Sequence, residues 1–373
     1  MTRPLNIVIF GLSISSSWGN GHATVYRALM RALDARGHNV LFLERDVPWY
    51  AAHRDQPASP SGRLRLYLSL AELKKKYAAD VRSADLCVVG SYVPEGCAVA
   101  KWVTQTSQGV TAFYDIDTPI TVAKLESGDT EYISPELIPV FDLYLSFTGG
   151  PVLRLIEREY GSPRAREFHC CVDPALYFPA PAEHRWDLGY MGTYSADRQT
   201  SLDKLLFEPA RSRKSMRAIV AGPLYPAELE WPANVEHIEH LAPGKHREFY
   251  NSQKFTLNLT RADMIAAGYS PSVRLFEAAA CGTPIISDYW DGLETFFTPG
   301  TEILVASTST DVVAYLSEIT ESQRIQIGER ARAKVLSRHT SEHRARELED
   351  HVAAVLDGRE TLPEEPDLVE AIA

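Results

Sequence analysis

The stretch SPSVRLFEAAACGTPIISD, residues 270–288, carries the densest structural signals in the chain. Ser270 or Ser272 can cap a helix, Pro271 is compatible with its first turn, and Gly282, Thr283 and Pro284 end it before a short apolar strand at about 284–287. A helix that starts in a loop at the end of a strand presents unpaired N–H groups and a positive dipole end, which suit a diphosphate. Glu277 lies further along this helix and is followed by Ala278, Ala279, Ala280 and Cys281. Small apolar neighbours imply close packing, so a carboxylate among them needs a hydrogen-bonding partner, for which ribose hydroxyls are a natural choice.

Working outward, strands at about 187–191, 216–221 and 254–259 alternate with helical segments ahead of this stretch. The first half of the chain repeats the plan. LNIVIF (5–10) is followed by a Ser/Gly-rich loop (11–21), a helix from about His22 to Arg36 and a second strand, NVLFL (39–43). Tyr26, Leu29 and Leu33 fall at helical spacing, and Gly37 supplies the stop. DLCVVG (85–90), VTAFY (110–114) and DLYLSF (142–147) are short apolar runs bounded by turn residues, as buried parallel strands are. The proline-rich segment CCVDPALYFPAPA (170–182) interrupts the alternation and suits a connector.

The expected fold is α/β, with two Rossmann-like domains facing across a cleft. Residues 1–175 are expected to form the N-terminal Rossmann-like domain and 176–340 the C-terminal one. Residues 341–373 form a terminal helix, with Arg344, Leu348, Val352 and Val355 at roughly helical spacing, and then a frayed tail bearing Pro363 and Pro366. Thr310 to about Asp357 is helical by composition.

Composition narrows the function. With 45% hydrophobic and 23% charged residues, the 373-residue chain has globular proportions and enough length for two cores. Its net charge of −11 argues against affinity built on neutralising nucleic-acid phosphates. The five cysteines, Cys87, Cys97, Cys170, Cys171 and Cys281, show neither disulfide-framework nor zinc spacing. The first apolar run is too short for a signal peptide or a membrane span, which places the protein in the cytoplasm without membrane insertion.

Two further loops draw attention. Gly11, Gly19 and Gly21 after the first strand lack the G-x-G-x-x-G spacing of a dinucleotide site, but the loop delivers His22 either to a helix cap or to the cleft. Asp115 and Asp117 follow another strand. Two carboxylates at that spacing can hold a metal, but the preferred reading makes both cleft residues contacting acceptor or sugar hydroxyls, with Asp117 able to cap a turn before Pro119.

The 270–288 stretch resembles the C-terminal signature of retaining glycosyltransferases of the GT-B fold, in particular the spore-maturation CgeB-like branch of the glycosyl transferases group 1 family. The resemblance extends to GTYSADRQ (192–199), YWDGLETFF (289–297) and GTEILV (300–305). It implies that Glu277 binds the nucleotide ribose and that Arg198, six residues after Gly192, binds the diphosphate. The implied donor site comprises Gly192, Thr193, Arg198, Arg261, Tyr269, Ser270, Ser272, Val273, Arg274 and Glu277, with Arg261 and Arg274 as secondary candidates. His22, Asp115 and Asp117 are the catalytic candidates across the cleft. Relatives place a second glutamate eight positions before the ribose-binding one, where this chain has Tyr269.

The implied activity is transfer of a sugar from a nucleotide-diphosphate sugar, UDP- or TDP-linked, to a glycan, protein or small-metabolite acceptor. Anomeric configuration would be retained through front-face attack assisted by the leaving phosphate, with neither metal nor other cofactor. A nucleotide-sugar epimerase shares the same plan, and the Tyr269 departure also admits a non-catalytic nucleotide- or sugar-binding scaffold.

Overall fold

The computed structural model describes residues 3–56 and 61–358, so the tail expected after the terminal helix lies outside the described residues. Two all-parallel sheets form the framework. The first contains β1 (Asn6–Gly11), β2 (Asn39–Arg45), β3 (Arg63–Tyr67), β4 (Leu86–Gly90), β5 (Val110–Asp115), β6 (Leu143–Ser146) and β7 (Ala165–Glu167), in the order β3-β2-β1-β4-β5-β6-β7. The second contains β8 (Trp186–Met191), β9 (Ala218–Ala221), β10 (Val235–Ile238), β11 (Gln253–Asn258), β12 (Ile285–Ser287) and β13 (Leu304–Val305), in the order β10-β9-β8-β11-β12-β13. Both follow the Rossmann winding, which reverses direction once and opens a crevice beyond the carboxyl ends of the two strands flanking the reversal. Those pairs are β1/β4 and β8/β11.

Central strands owe their place to continuous apolar runs. Every residue of β4, β5 and β6 is buried, as helices packed on both faces of a parallel sheet require. Four strands escape recognition from sequence, β3, β7, β10 and β13, and all four are sheet edges. An edge strand is paired on one side and partly wet. RLRLY in β3 therefore alternates charged and apolar residues, β10 reads VEHI, and β7 and β13 have only three and two residues. The segment expected to be helical from Thr310 is three helices, Ser309–Glu318, Glu321–Arg338 and Ser341–Asp357. Thr308 and Thr320 start the first two with reciprocal capping boxes, and the Thr340 hydroxyl caps the third.

The terminal helix packs against the first helix, His22–Ala35, and buries Ala345, Leu348 and Val352. Beside these apolar contacts, Arg36 pairs with Glu342 at 2.6 Å and with both oxygens of Glu349 at 2.5 and 2.7 Å. His38 Nδ1 accepts the Leu5 amide at 3.0 Å, so its proton sits on Nε2, which donates to Glu349 Oε1 at 2.7 Å. The 170–182 connector joins the same assembly through Arg31–Asp173 at 2.7 Å and a backbone bridge between Val172 and Thr340. No helix among the described residues is long and apolar enough to cross a membrane.

The Arg36 guanidinium, opposed by burial and aided by His38, holds the Glu349 carboxyl down at about 2. Because this folded-state value lies below the ordinary 4.5, the stabilisation is complete above about 4.5 and disappears as pH falls toward about 2. Glu349→Gln should cost on the order of 3 kcal/mol near neutral pH by taking from the Arg36 guanidinium its buried carboxylate partner. Thermal melts from pH 7 to pH 3 should show the gap to wild type narrowing on acidification, and a pH-independent gap would contradict this account.

Candidate functional site

The two crevices face one another across a cavity of about 460 Å³, a size typical of small-molecule sites. On the C-terminal side, the loops after β8 and β9 approach closely. A Cβ on Gly222 would stand 2.0 Å from the Gly192 carbonyl oxygen, and one on Gly192 would stand 2.6 Å from Tyr190 Oη and 2.9 Å from Arg274 Nη2. Only glycine at 222 permits this wall, because there a Cβ would strike backbone, whereas at 192 it would displace the ends of the Tyr190 and Arg274 side chains. Thr193 follows, and the helix Ala196–Leu202 brings Arg198 back so that its Nη2 donates to the Thr193 carbonyl at 2.6 Å. Its Nε is buried without a partner.

The helix Val273–Ala280 begins at the opposite side of the same wall. Ser272 occupies its N-cap position, but the hydroxyl donates to Asn258 Oδ1 at 2.7 Å rather than capping the helix, so the first amides keep no side-chain acceptor. Pro271 lies before the cap and not in the first turn. Ser270 does not cap either. Its hydroxyl pairs with Thr148 Oγ1 at 2.9 Å and so joins the two halves. Val273 lines the cavity beside these residues.

Glu277 is 2% exposed and faces the cavity. Tyr250 Oη donates to its Oε2 at 3.1 Å, and Thr24 of the first helix donates to Oε1 at 3.2 Å, sharing its proton with the Gly21 carbonyl. His246 Nδ1 stands 3.6 Å from Oε2, while Nε2 must carry the proton because it faces the Leu241 carbonyl at 3.1 Å. Thr24, Tyr250 and His246 were not legible as site residues from sequence, since each takes its meaning from a contact with a distant segment.

Two expected donor contacts are placed differently. Arg274 lines the cavity but is 7% exposed and largely committed to the floor: Nε donates to Met191 O at 2.5 Å, Nη1 to Asn258 Oδ1 at 2.8 Å, and the guanidinium lies over the Tyr190 ring. Tyr269 does not line the cavity. It adopts φ +49°, its carbonyl accepts the Gly149 amide at 2.9 Å, and its ring fills the space that Gly150 and Gly292 leave by lacking a Cβ. Arg261 does line it, with Nε 3.8 Å from Asp197.

On the N-terminal side, the loop after β1 folds over the buried Glu44 carboxylate, which accepts from the hydroxyls of Ser13 and Ser15 and from the amides of Ile14 and Ser15 at 2.5–3.0 Å. The loop so fixed presents His22 to the cavity, where Nε2 stands 3.6 Å from Asp117 Oδ2. The same oxygen accepts Tyr92 Oη at 3.0 Å, and Asp117 makes no side-chain cap. Burial pushes the Asp117 carboxyl up, but His22, Tyr92 and Arg261 outweigh it and the net shift is downward. Tyr92 reaches Asp117 from a left-handed backbone, φ +64°, a conformation that costs a non-glycine residue about 1–3 kcal/mol.

Asp115 is a correction to the expectation that both aspartates reach the cleft. It is fully buried beneath the cavity, where its oxygens accept the hydroxyls of Tyr144 and Thr121 and the Asp117 amide. Residues two apart would share a face if the strand ran on, but β5 ends at Asp115, and the turn that follows leaves only Asp117 facing the cavity. Burial pushes the Asp115 carboxyl up to about 6 against those three donors.

Residues 198–350 match the family model described as glycosyl transferase-like. No curated protein matches in sequence. Among solved structures, sucrose-phosphate synthase from Thermosynechococcus elongatus is similar over 94% of this chain and 99% of its own, at TM-score 0.68 and 13% identity. The Anabaena protein HepE, in complex with UDP and glucose, is similar over 94% and 100%, at 0.69 and 12%. AviGT4, a glycosyltransferase involved in avilamycin A biosynthesis, is similar over 95% and 99%, at 0.59 and 17%. The fold is that of the GT-B glycosyltransferases, two Rossmann-like units facing one another.

Because the folded-state value of Asp115 is raised above 3.8, the group favours folding below about 3.8 and loses that contribution as pH rises through about 6. Asp115→Asn keeps the acceptor for Thr121 and the Asp117 amide and lets Tyr144 turn to accept. The variant should match or exceed wild-type stability above pH 6 in thermal melts. Unchanged nucleotide affinity by calorimetry is expected as well; a large affinity loss would return Asp115 to the cleft.

Proposed function

We propose that this protein is a glycosyltransferase of the CgeB-like branch that takes its sugar from a nucleoside-diphosphate donor, UDP- or TDP-linked, and transfers it to an acceptor held by the N-terminal half. The observation that carries the reading is Glu277. A buried carboxylate faces the cavity beside a helix N-terminus and a glycine-lined wall, the combination that a ribose followed by a diphosphate requires. The similar HepE structure holds UDP and glucose, which supports the same assignment here.

In this reading the diphosphate lies against the first amides of the Val273–Ala280 helix, with Arg198 and Arg261 meeting its charge as the sugar–phosphate bond breaks. These cations supply what a metal ion supplies elsewhere, and the reaction proceeds without one. The acceptor attacks from the face that the diphosphate leaves, so configuration is retained. The protein works in the cytoplasm, where nucleotide sugars are available.

Calorimetric titration of UDP, TDP, GDP, ADP and CMP should find one nucleotide bound selectively. Glu277→Ala, with Glu277→Gln as a shape-preserving second variant, should weaken that binding roughly 10- to 100-fold, the worth of a hydrogen bond to a charged group. Equal binding by both variants would remove the assigned donor site. Retention is checked separately: an α-linked donor should give an α-linked product, read from the anomeric proton coupling by nuclear magnetic resonance, and a β-linked product would refute it.

A further inference from the structure

The charges around the cavity are divided between its walls. Arg198, Arg261 and Arg274 all belong to the C-terminal half, whereas the N-terminal wall contributes no lysine or arginine among the described residues and one carboxylate, Asp117. Asp117 Oδ2 is occupied by Tyr92 and faces His22, and no described residue donates to its Oδ1. Tyr92 is fixed in this role from both ends. Its backbone holds the left-handed conformation in the loop after β4, and its ring packs on Tyr132 at 4.8 Å between centroids. Phe147 completes the wall with an apolar face.

A group docking here meets these charges where water screens them poorly. A carboxylate or phosphate would confront the Asp117 carboxylate. A cation would confront Arg261 and Arg198 across the cavity. A neutral hydroxyl finds an acceptor at Oδ1 and an apolar surface for its carbon skeleton.

We propose, on the premise that the protein is a glycosyltransferase, that this wall selects a neutral, hydroxyl-bearing acceptor such as an uncharged sugar or polyol, with Asp117 receiving the hydroxyl and Tyr92 as its positioning residue. In the transfer, the bond between the anomeric carbon and the diphosphate oxygen breaks with its electron pair going to the diphosphate. The acceptor oxygen forms the new bond to that carbon, and its proton passes to the departing phosphate oxygen. Asp117 orients the hydroxyl and takes no proton.

The test uses UDP-[14C]glucose, its binding first verified by calorimetry, with a pool of cellular metabolites and oligosaccharides separated by ion exchange into neutral, anionic and cationic fractions. Label should enter products of the neutral fraction. Label confined to anionic or cationic products overturns the proposal, as does absence of product in every fraction despite verified donor binding. Failure to bind any nucleotide sugar is a different result and sinks the glycosyltransferase reading itself.

Tyr92→Phe keeps the ring and should lower transfer to the neutral acceptor about tenfold, the loss of one hydrogen bond to a charged group, while UDP affinity stays within about twofold. The acid limb of its pH profile should move upward, because Asp117 loses a donor that holds its carboxyl down. Wild-type transfer and an unmoved limb would remove Tyr92 from this role. Asp117→Asn should admit label into anionic acceptors, and continued exclusion of them would show that the carboxylate does not set the selection.

Discussion

A carboxylate taken out of water must be met by donors, and the way three buried carboxylates meet that requirement organises the molecule. Glu44 is saturated by two hydroxyls and two amides of the loop after β1, so it serves as the peg around which that loop folds. Asp115 is saturated by two hydroxyls and an amide beneath the cavity. Glu277 differs in its surroundings. It has one donor from its own half and one from the opposite half, and it faces an open volume with acceptor capacity remaining. Burial alone does not distinguish the three, since all are essentially inaccessible. What separates a structural carboxylate from a binding one is whether the protein has already filled its lone pairs.

Much of the framework could be read from residues alone because parallel central strands advertise themselves as continuous apolar runs, and each of those runs is a strand here. The edges could not, since exposure on one side erases the run. The helix of residues 273–280 was legible from the small residues that follow Glu277 and from Gly282, which takes φ +73° where the helix stops. Its cap was not, because Ser272 finds a better partner in Asn258, a residue of another strand. Asp115 and Asp117 look equivalent in sequence and have opposite fates, one under the cavity and one in its wall, because a single turn separates them. Tyr92 gave no signal at all. Its importance lies in a backbone angle and a contact 25 residues away.

Several contacts couple the two halves around the cavity: Thr24 with Glu277, Thr148 with Ser270, and the Gly149 amide with the Tyr269 carbonyl. A fourth is aromatic, with Trp18 of the first loop stacked on His53 and tilted against His240, itself a cavity residue. These bonds are short-range and mostly neutral, whereas the clasp of the terminal helix on Arg36 and His38 is charged and remote from the cavity. A ligand that engages Glu277 Oε1 shares that oxygen with Thr24. Under the proposed function, engagement of the nucleotide and the contact between the halves would be linked through one carboxylate.

The net charge of −11 bears on this arrangement. An acidic molecule repels a diphosphate at long range, but that field is screened over about a Debye length, roughly 8 Å at physiological ionic strength. Inside the cavity the nearest charges prevail, and on the C-terminal wall these are three guanidinium groups and a helix N-terminus beside the Glu277 carboxylate. Asp117 stands opposite them, and against the upward push of burial its carboxyl is held down by His22 and Tyr92 first and by Arg261 last. Under the proposed function, a phosphate that neutralised Arg261 on one wall would raise the basicity of the Asp117 carboxylate on the other. In that reading Asp117 would be the stronger hydrogen-bond acceptor once a donor is in place, which would favour binding in the order donor and then acceptor through electrostatics alone.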